Sequence, residues 1–141
     1  MKLMNVSSIF LRLALSAGFF SAVAARFNLW GTRSSFSEAW NDFVSYTAEV
    51  NSFLPTAVIP GVSVLATFSE ISFALLLLFG YKTNYAAFGS AILLFLFASA
   101  MSISYGIKEP LDYSVFAASS GALLLATIKN YPLSIDQLLS N

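Results

Sequence analysis

LATFSEISFALLLLFG, residues 65–80, is apolar or small throughout except for one carboxylate, Glu70, near its middle. In a soluble domain a helix would turn that side chain toward water. The rest of the chain leaves little water to turn toward. Of its 141 residues, 57% are hydrophobic and only 10% charged. Soluble domains carry roughly 45–50% apolar and 25% charged residues. The composition therefore points to an integral membrane protein, and the long apolar segments to an all-α one.

Seven basic residues balance seven acidic ones, so no global field points to nucleic acid or to an acidic partner. Cysteine and histidine are absent, which excludes disulfide exchange, thiolate nucleophiles, imidazole ligation of haem and the usual zinc and iron–sulfur sites. No metal site is expected.

A helix needs roughly 20 mainly apolar residues to cross the hydrocarbon core. Four segments approach that length: Val6–Ala25, Thr56–Phe79, Tyr85–Ile103 and the shorter Tyr113–Ile128. Pro55, Pro60, GYKTNY (80–85) and YGIKEPLDY (105–113) supply the breaks between them. The expected fold is a transmembrane four-helix bundle forming one domain over residues 1–141. A cleaved signal peptide is the rival reading of the first span, with Lys2 and Arg12 as its basic region, Leu13–Ala22 as its apolar stretch and AVA (22–24) as the cleavage site. Against it, Ala14, Gly18 and Ala22, and likewise Ala17, Ser21 and Ala25, recur at every fourth position, a spacing that suits close helix packing. Ala86 and Ser90, and Ala117 and Gly121, repeat the pattern in later spans.

With four spans, both termini and the 80–85 turn share one side, carrying Lys2, Lys82 and Lys129 with Arg12 nearby. The positive-inside rule then makes both termini cytoplasmic. The first connection, Arg26–Pro55, holds Phe36, Trp40, Phe43, Thr47 and Val50 at helical spacing, with Glu38, Asp42, Ser45 and Glu49 mostly on other faces. An amphipathic helix at the membrane interface is expected there. Its aromatic stripe either caps the bundle or forms a lid or docking face for a partner.

A charge within a membrane helix is costly, about 2.5–3.5 kcal/mol at the centre on insertion scales, and normally faces inward with a partner. Ser63, Thr67, Glu70 and Ala74 form a small and polar stripe, while Phe68, Leu75 and Phe79 can meet lipid. Arg12 lies about six residues into the first span, and Glu70 about nine residues from the end of the antiparallel second, so the two depths differ by only a few ångströms. An Arg12–Glu70 pair is the expected partnership, either as a structural register pin or as a ligand- or proton-handling site. Ser99, Ser102, Ser104 and Tyr105 are further polar candidates on the third span.

LRLALSAGFF (11–20), SEISFALLLLFGYKTNYAAFGSAILLF (69–95) and the spaced pattern W..F..YT..VN.FLP (40–55) together resemble the DoxX family of small bacterial four-helix membrane proteins. The resemblance covers nearly the whole chain and is most specific from Glu70 through Gly80 to Ala86–Ala87. It implies a multi-pass protein of the bacterial inner membrane, and Arg12 and Glu70 match the family's characteristic polar positions. Some relatives are linked to quinone-dependent sulfur oxidation or to complexes that handle oxidative stress. The resemblance thus implies a quinone-associated membrane subunit of an oxidoreductase system, with a separate redox partner. Two other functions compete: transport of a small solute or proton, which with four spans calls for a homo-oligomer, and a scaffold or assembly role through the Trp40 face.

Overall fold

Backbone amides in hydrocarbon must be satisfied within their own segment, which favours helices for so apolar a chain. The computed structural model describes residues 2–140, and its regular elements are all helical among those residues. They are α1 (Leu3–Arg26), α2 (Phe36–Val50), a 3-10 turn (Thr56–Val58), α3 (Ile59–Phe79), α4 (Thr83–Tyr105), α5 (Lys108–Asp112), α6 (Val115–Ala126) and α7 (Ile135–Leu139). Among the described residues, three segments are long and apolar enough to cross a membrane: Leu3–Arg26, Thr56–Phe79 and Thr83–Tyr105. The 24 residues of α1 extend about 36 Å, more than a hydrocarbon core. The fourth expected span, 113–128, is not among them: its helix, α6, has 12 residues and reaches only about 18 Å. Ser114, at φ 57°, breaks the helix before it. After it, the Thr127 hydroxyl bonds the Leu124 carbonyl and the chain turns away.

Two seams dominate the packing, α1 on α3 and α4 on α6. In the first, Arg12 Nε donates to the Leu77 carbonyl at 3.1 Å and Ser16 Oγ to the Ala74 carbonyl at 2.8 Å. The helices run antiparallel, with facing residue numbers summing to about 90. The second seam uses small residues. Ala86, Ala87 and Ala91 are buried in one cluster with Ala122 and Ala126, and Ser119 Oγ donates to the Ala91 carbonyl at 2.8 Å. Such residues let backbones approach closely.

The small residues of α1 behave differently from expectation. Ala14, Ala17, Gly18, Ser21 and Ala25 are exposed, and nothing lies within 4 Å of where a Cβ on Gly18 would sit. The buried face is instead Ser8, Arg12, Leu15, Ser16, Phe19, Val23 and Arg26. Arg12 and Arg26 are separated by nearly four whole turns, about 40° around the helix. Turning both inward sends the Gly18 face outward.

At one end of the molecule the α3–α4 turn is clamped between α1 and the C-terminal segment. Gly80 closes α3 in the left-handed conformation at φ 67°, and the Tyr81 N–H returns to the Leu76 carbonyl. Arg12 supplies what the helix end still lacks. Its guanidinium donates to the carbonyls of Leu77, Leu78, Pro132 and Leu133 at 2.9–3.3 Å. A cation at a helix C-terminus also complements the helix dipole. From the other side, the Asp136 carboxylate accepts the N–H groups of Lys82 and Thr83, each at 2.7 Å, at the start of α4. The Asp136 N–H donates to the Gly80 carbonyl at 2.9 Å.

Burial pushes the Asp136 carboxyl up, but the Thr83 and Lys82 N–H groups and the nearby Arg12 charge outweigh it and hold the group below the ordinary aspartate range. Its stabilisation is therefore complete above the unfolded-state value of about 3.9 and fades as pH falls through the lower folded-state value. In detergent, wild type is expected to lose thermal stability over that acidic window, whereas Asp136→Asn starts lower at neutral pH and responds less. Melting curves of the two proteins at stepwise lower pH check this, and parallel loss in both would remove Asp136 from the clamp.

Candidate functional site: a buried ion pair at the foot of an apolar groove

Side chains on a helix lean toward that helix's N-terminus. In the antiparallel α1–α3 pair, Arg26 therefore leans along the seam toward Glu70, and Glu70 leans back toward Arg26. By the register, Arg26 lies level with Val64, six residues or about 9 Å from Glu70, a gap two converging side chains can close. They meet as an ion pair, Arg26 Nη1 to Glu70 Oε2, with side-chain exposures of only 8% and 4%. Thr67, one turn from Glu70 on the same face, accepts a hydrogen bond from Arg26 Nη1 at 2.8 Å and donates to the Ser63 carbonyl at 2.9 Å. Phe43 of α2 covers the guanidinium, its ring centroid 3.8 Å from Arg26 Cζ, a cation–π contact.

Arg12 is thus not the partner of Glu70. The expected pairing compared depths from span ends, but α1 begins at Leu3 and overhangs the end of α3, so Arg12 lies level with about residue 78. That is some 12 Å from Glu70 along the seam, and the two side chains lean apart. Arg12 serves the clamp.

The rest of the expected stripe is inside: Ser63, Thr67, Glu70 and Ala74 are buried, while Phe68, Leu75 and Phe79 are exposed. Ser63 bonds its own helix at Ile59, and Ser102 likewise bonds Ala98, so neither joins the ion pair. Ser104 and Tyr105 anchor α2 to α4 instead. Ser104 donates to the Val50 carbonyl and pairs with the Ser52 hydroxyl, and Tyr105 donates to Glu49 at 2.9 Å.

The aromatic stripe of the first connection forms a ladder, Phe27–Phe36–Trp40–Phe43, with ring centroids 5.6, 6.5 and 5.6 Å apart. α2 starts where Ser35 caps it by accepting the Glu38 N–H, and Glu38 reaches back to the Ser34 N–H at 2.9 Å. Those caps fix which way the stripe faces. Phe36, at the outer end, is exposed, Trp40 is half-buried, and Phe43 enters the site.

Beside the ion pair, between α3 and α4 and beneath α2, runs a groove of about 750 Å³. Val62, Leu65 and Ala66 of α3 and Leu93, Leu94 and Phe97 of α4 are among its apolar walls, and Thr47, Asn51, Ser69 and Ser99 are its uncharged polar points besides the Tyr46 hydroxyl. Arg26 and Glu70 are the only charged residues lining it among the described residues. Their hydrogen-bonding capacity is not used up. Arg26 Nη1 meets both Glu70 Oε2 and the Thr67 hydroxyl, whereas Arg26 Nε and Nη2 and Glu70 Oε1 make no hydrogen bond among the described residues. A second, larger cavity of about 920 Å³ lies at the clamp end, lined by Lys2, Asn5, Lys129 and Gln137 among others. Those side chains are solvent-facing or half-buried, and no buried charge points into it. No group of three or more potential metal ligands occurs among the described residues.

The arrangement suits an elongated apolar molecule with a polar end held against Arg26 and Glu70. Arg26 went unassigned in the sequence because it sits at a span boundary, where an arginine usually reaches the headgroups. The lean of antiparallel side chains is the signal that finds it.

Removing one member of a dry ion pair strands the other charge, at about 3–5 kcal/mol. Arg26→Met and Glu70→Leu should each approach that loss, and the double variant should lose clearly less than their sum. Arg12→Met combined with Glu70→Leu should be additive. Unfolding in detergent across both cycles checks the assignment, and coupling in the Arg12 cycle instead would reverse it.

Comparison with protein-family models, with curated proteins and with solved structures finds no match for this chain.

Proposed function

We propose that the chain is a DoxX-like protein of the bacterial inner membrane whose lateral groove binds an isoprenoid quinone and presents it to a separate redox partner. In this reading α1, α3, α4 and the α5–α6 unit form a four-helix membrane bundle. The clamp end, with Lys2, Lys82 and Lys129, faces the cytoplasm, and both termini with it.

One observation carries the proposal: an apolar groove reached from between two membrane helices ends on a buried ion pair with unspent hydrogen-bonding capacity. A binding site for a lipophilic molecule is expected to combine an apolar wall with a few placed polar groups. The groove volume is in the range of small-molecule pockets, roughly 300–1,000 Å³. A quinone would supply the two-electron chemistry. This chain's residues hold and orient it: the α3 and α4 walls bind the apolar tail, and Arg26 and Glu70 meet the oxygens of the ring. Phe43 and Trp40 keep water from the guanidinium.

Protein purified gently from native membranes and extracted with organic solvent should carry near-stoichiometric quinone. Ser99 lines the groove and bonds only its own helix, at the Phe95 carbonyl, so Ser99→Phe fills the space without removing an interhelical contact. Bound quinone should fall to background in that variant while the protein stays monodisperse. Quinone-free wild type would sink the proposal.

A further inference from the structure

Resting on the groove as a binding site, we infer that Glu70 sets its charge selectivity: the groove admits amphiphiles with a neutral carbonyl- or hydroxyl-bearing head and rejects those ending in a carboxylate. The grounds are electrostatic. Arg26 and Glu70 cancel one another, and no other charged residue lines the groove among the described residues. A fatty-acid anion placed at the foot of the groove would leave one net negative charge beside Glu70 in an apolar wall. Taking an ion out of water without a full counter-charge costs several kcal/mol. A neutral head loses only its hydrogen bonds to water and can regain them here.

The site offers both kinds of partner. Arg26 Nε and Nη2 make no hydrogen bond among the described residues, so they can serve a carbonyl oxygen. Glu70 Oε2 is buried against Arg26, but Oε1 accepts no hydrogen bond among the described residues and can serve a hydroxyl. An arginine alone would be a carboxylate receptor, since its planar fork matches that group bidentately. Glu70 neutralises the guanidinium through Nη1, so a second carboxylate placed at Nε and Nη2 would meet a pair with no net charge to balance it. Phe43 blocks one guanidinium face, so a head group meets Arg26 in the plane of the guanidinium, close to Glu70.

The test compares a neutral quinone probe, decylubiquinone, with oleate, each titrated against purified protein in a nonionic detergent. Wild type should bind decylubiquinone in preference to oleate. In Glu70→Gln the unmasked guanidinium should shift that ratio toward oleate by about a hundredfold, the scale of one relieved like-charge contact. Arg26→Gln should reject oleate at least as strongly as wild type. Should Glu70→Gln fail to fold, Ser69→Lys adds one cation to the groove wall beside an intact ion pair, and oleate binding must rise there. A folded Glu70→Gln or Ser69→Lys protein with the wild-type ratio overturns the selectivity role while leaving the groove in place. Wild type that binds neither probe saturably brings down the groove reading and this inference with it.

Discussion

Neither arginine of α1 can be left facing hydrocarbon, and that constraint orients the helix. A separation of nearly four turns puts Arg12 and Arg26 on almost the same face, so burying one brings in the other. With α1 so rotated, α3 must present matching acceptors along one seam. It does so in three ways: bare carbonyls at its C-terminal end for Arg12, the Ala74 carbonyl for Ser16, and Thr67 with Glu70 for Arg26. The seam is a column of polar contacts within an apolar protein, and it fixes the antiparallel register more firmly than apolar packing alone would. The two arginines differ in kind. Arg12 hydrogen-bonds only to backbone carbonyls, completing a helix end with the Asp136 charge nearby, whereas Arg26 is paired directly with a carboxylate.

The groove follows from the same packing. α3 is committed to α1 by the polar column and α4 to α6 by small residues, which leaves α3 and α4 in more limited contact. α2 bridges the gap from above, held to α4 by Ser52, Ser104 and the Glu49–Tyr105 contact. The ion pair sits at the foot because Arg26 ends α1 where α2 begins to cross. Enclosure by Phe43 lowers the effective dielectric there, which strengthens the pair and raises the cost of any third charge.

Much of the fold was legible. The apolar lengths of the first three spans, the helix at Phe36–Val50 and the inward stripe Ser63–Thr67–Glu70–Ala74 all follow from periodicity, because rotation and length are local properties. The partner of Glu70 was not legible. Pairing depends on the relative height of two helices, and periodicity carries no information about height. The overhang of α1 beyond Gly80 is held by Pro132 and Leu133, which meet it from more than a hundred positions away. Small-residue spacing misled for a related reason: Ala14 and Gly18 permit close approach but do not compel it, whereas a buried guanidinium compels a partner. The short fourth helix was hidden because α6 owes its ends to Ser114 and Thr127, neither of which is a strong breaker in sequence.

The clamp also bears on how the protein is assembled. Two of Arg12's four acceptors, the carbonyls of Pro132 and Leu133, are synthesised about 120 residues after it. Until then its guanidinium has half its final partners, and the start of α4 lacks the carboxylate of Asp136. Contacts so distant along the chain are slow to form, because closing a long loop costs entropy before any bond repays it. The three long helices can reach their register first, and the residues around Asp136 then lock one end, so the clamp acts as a late latch on the bundle.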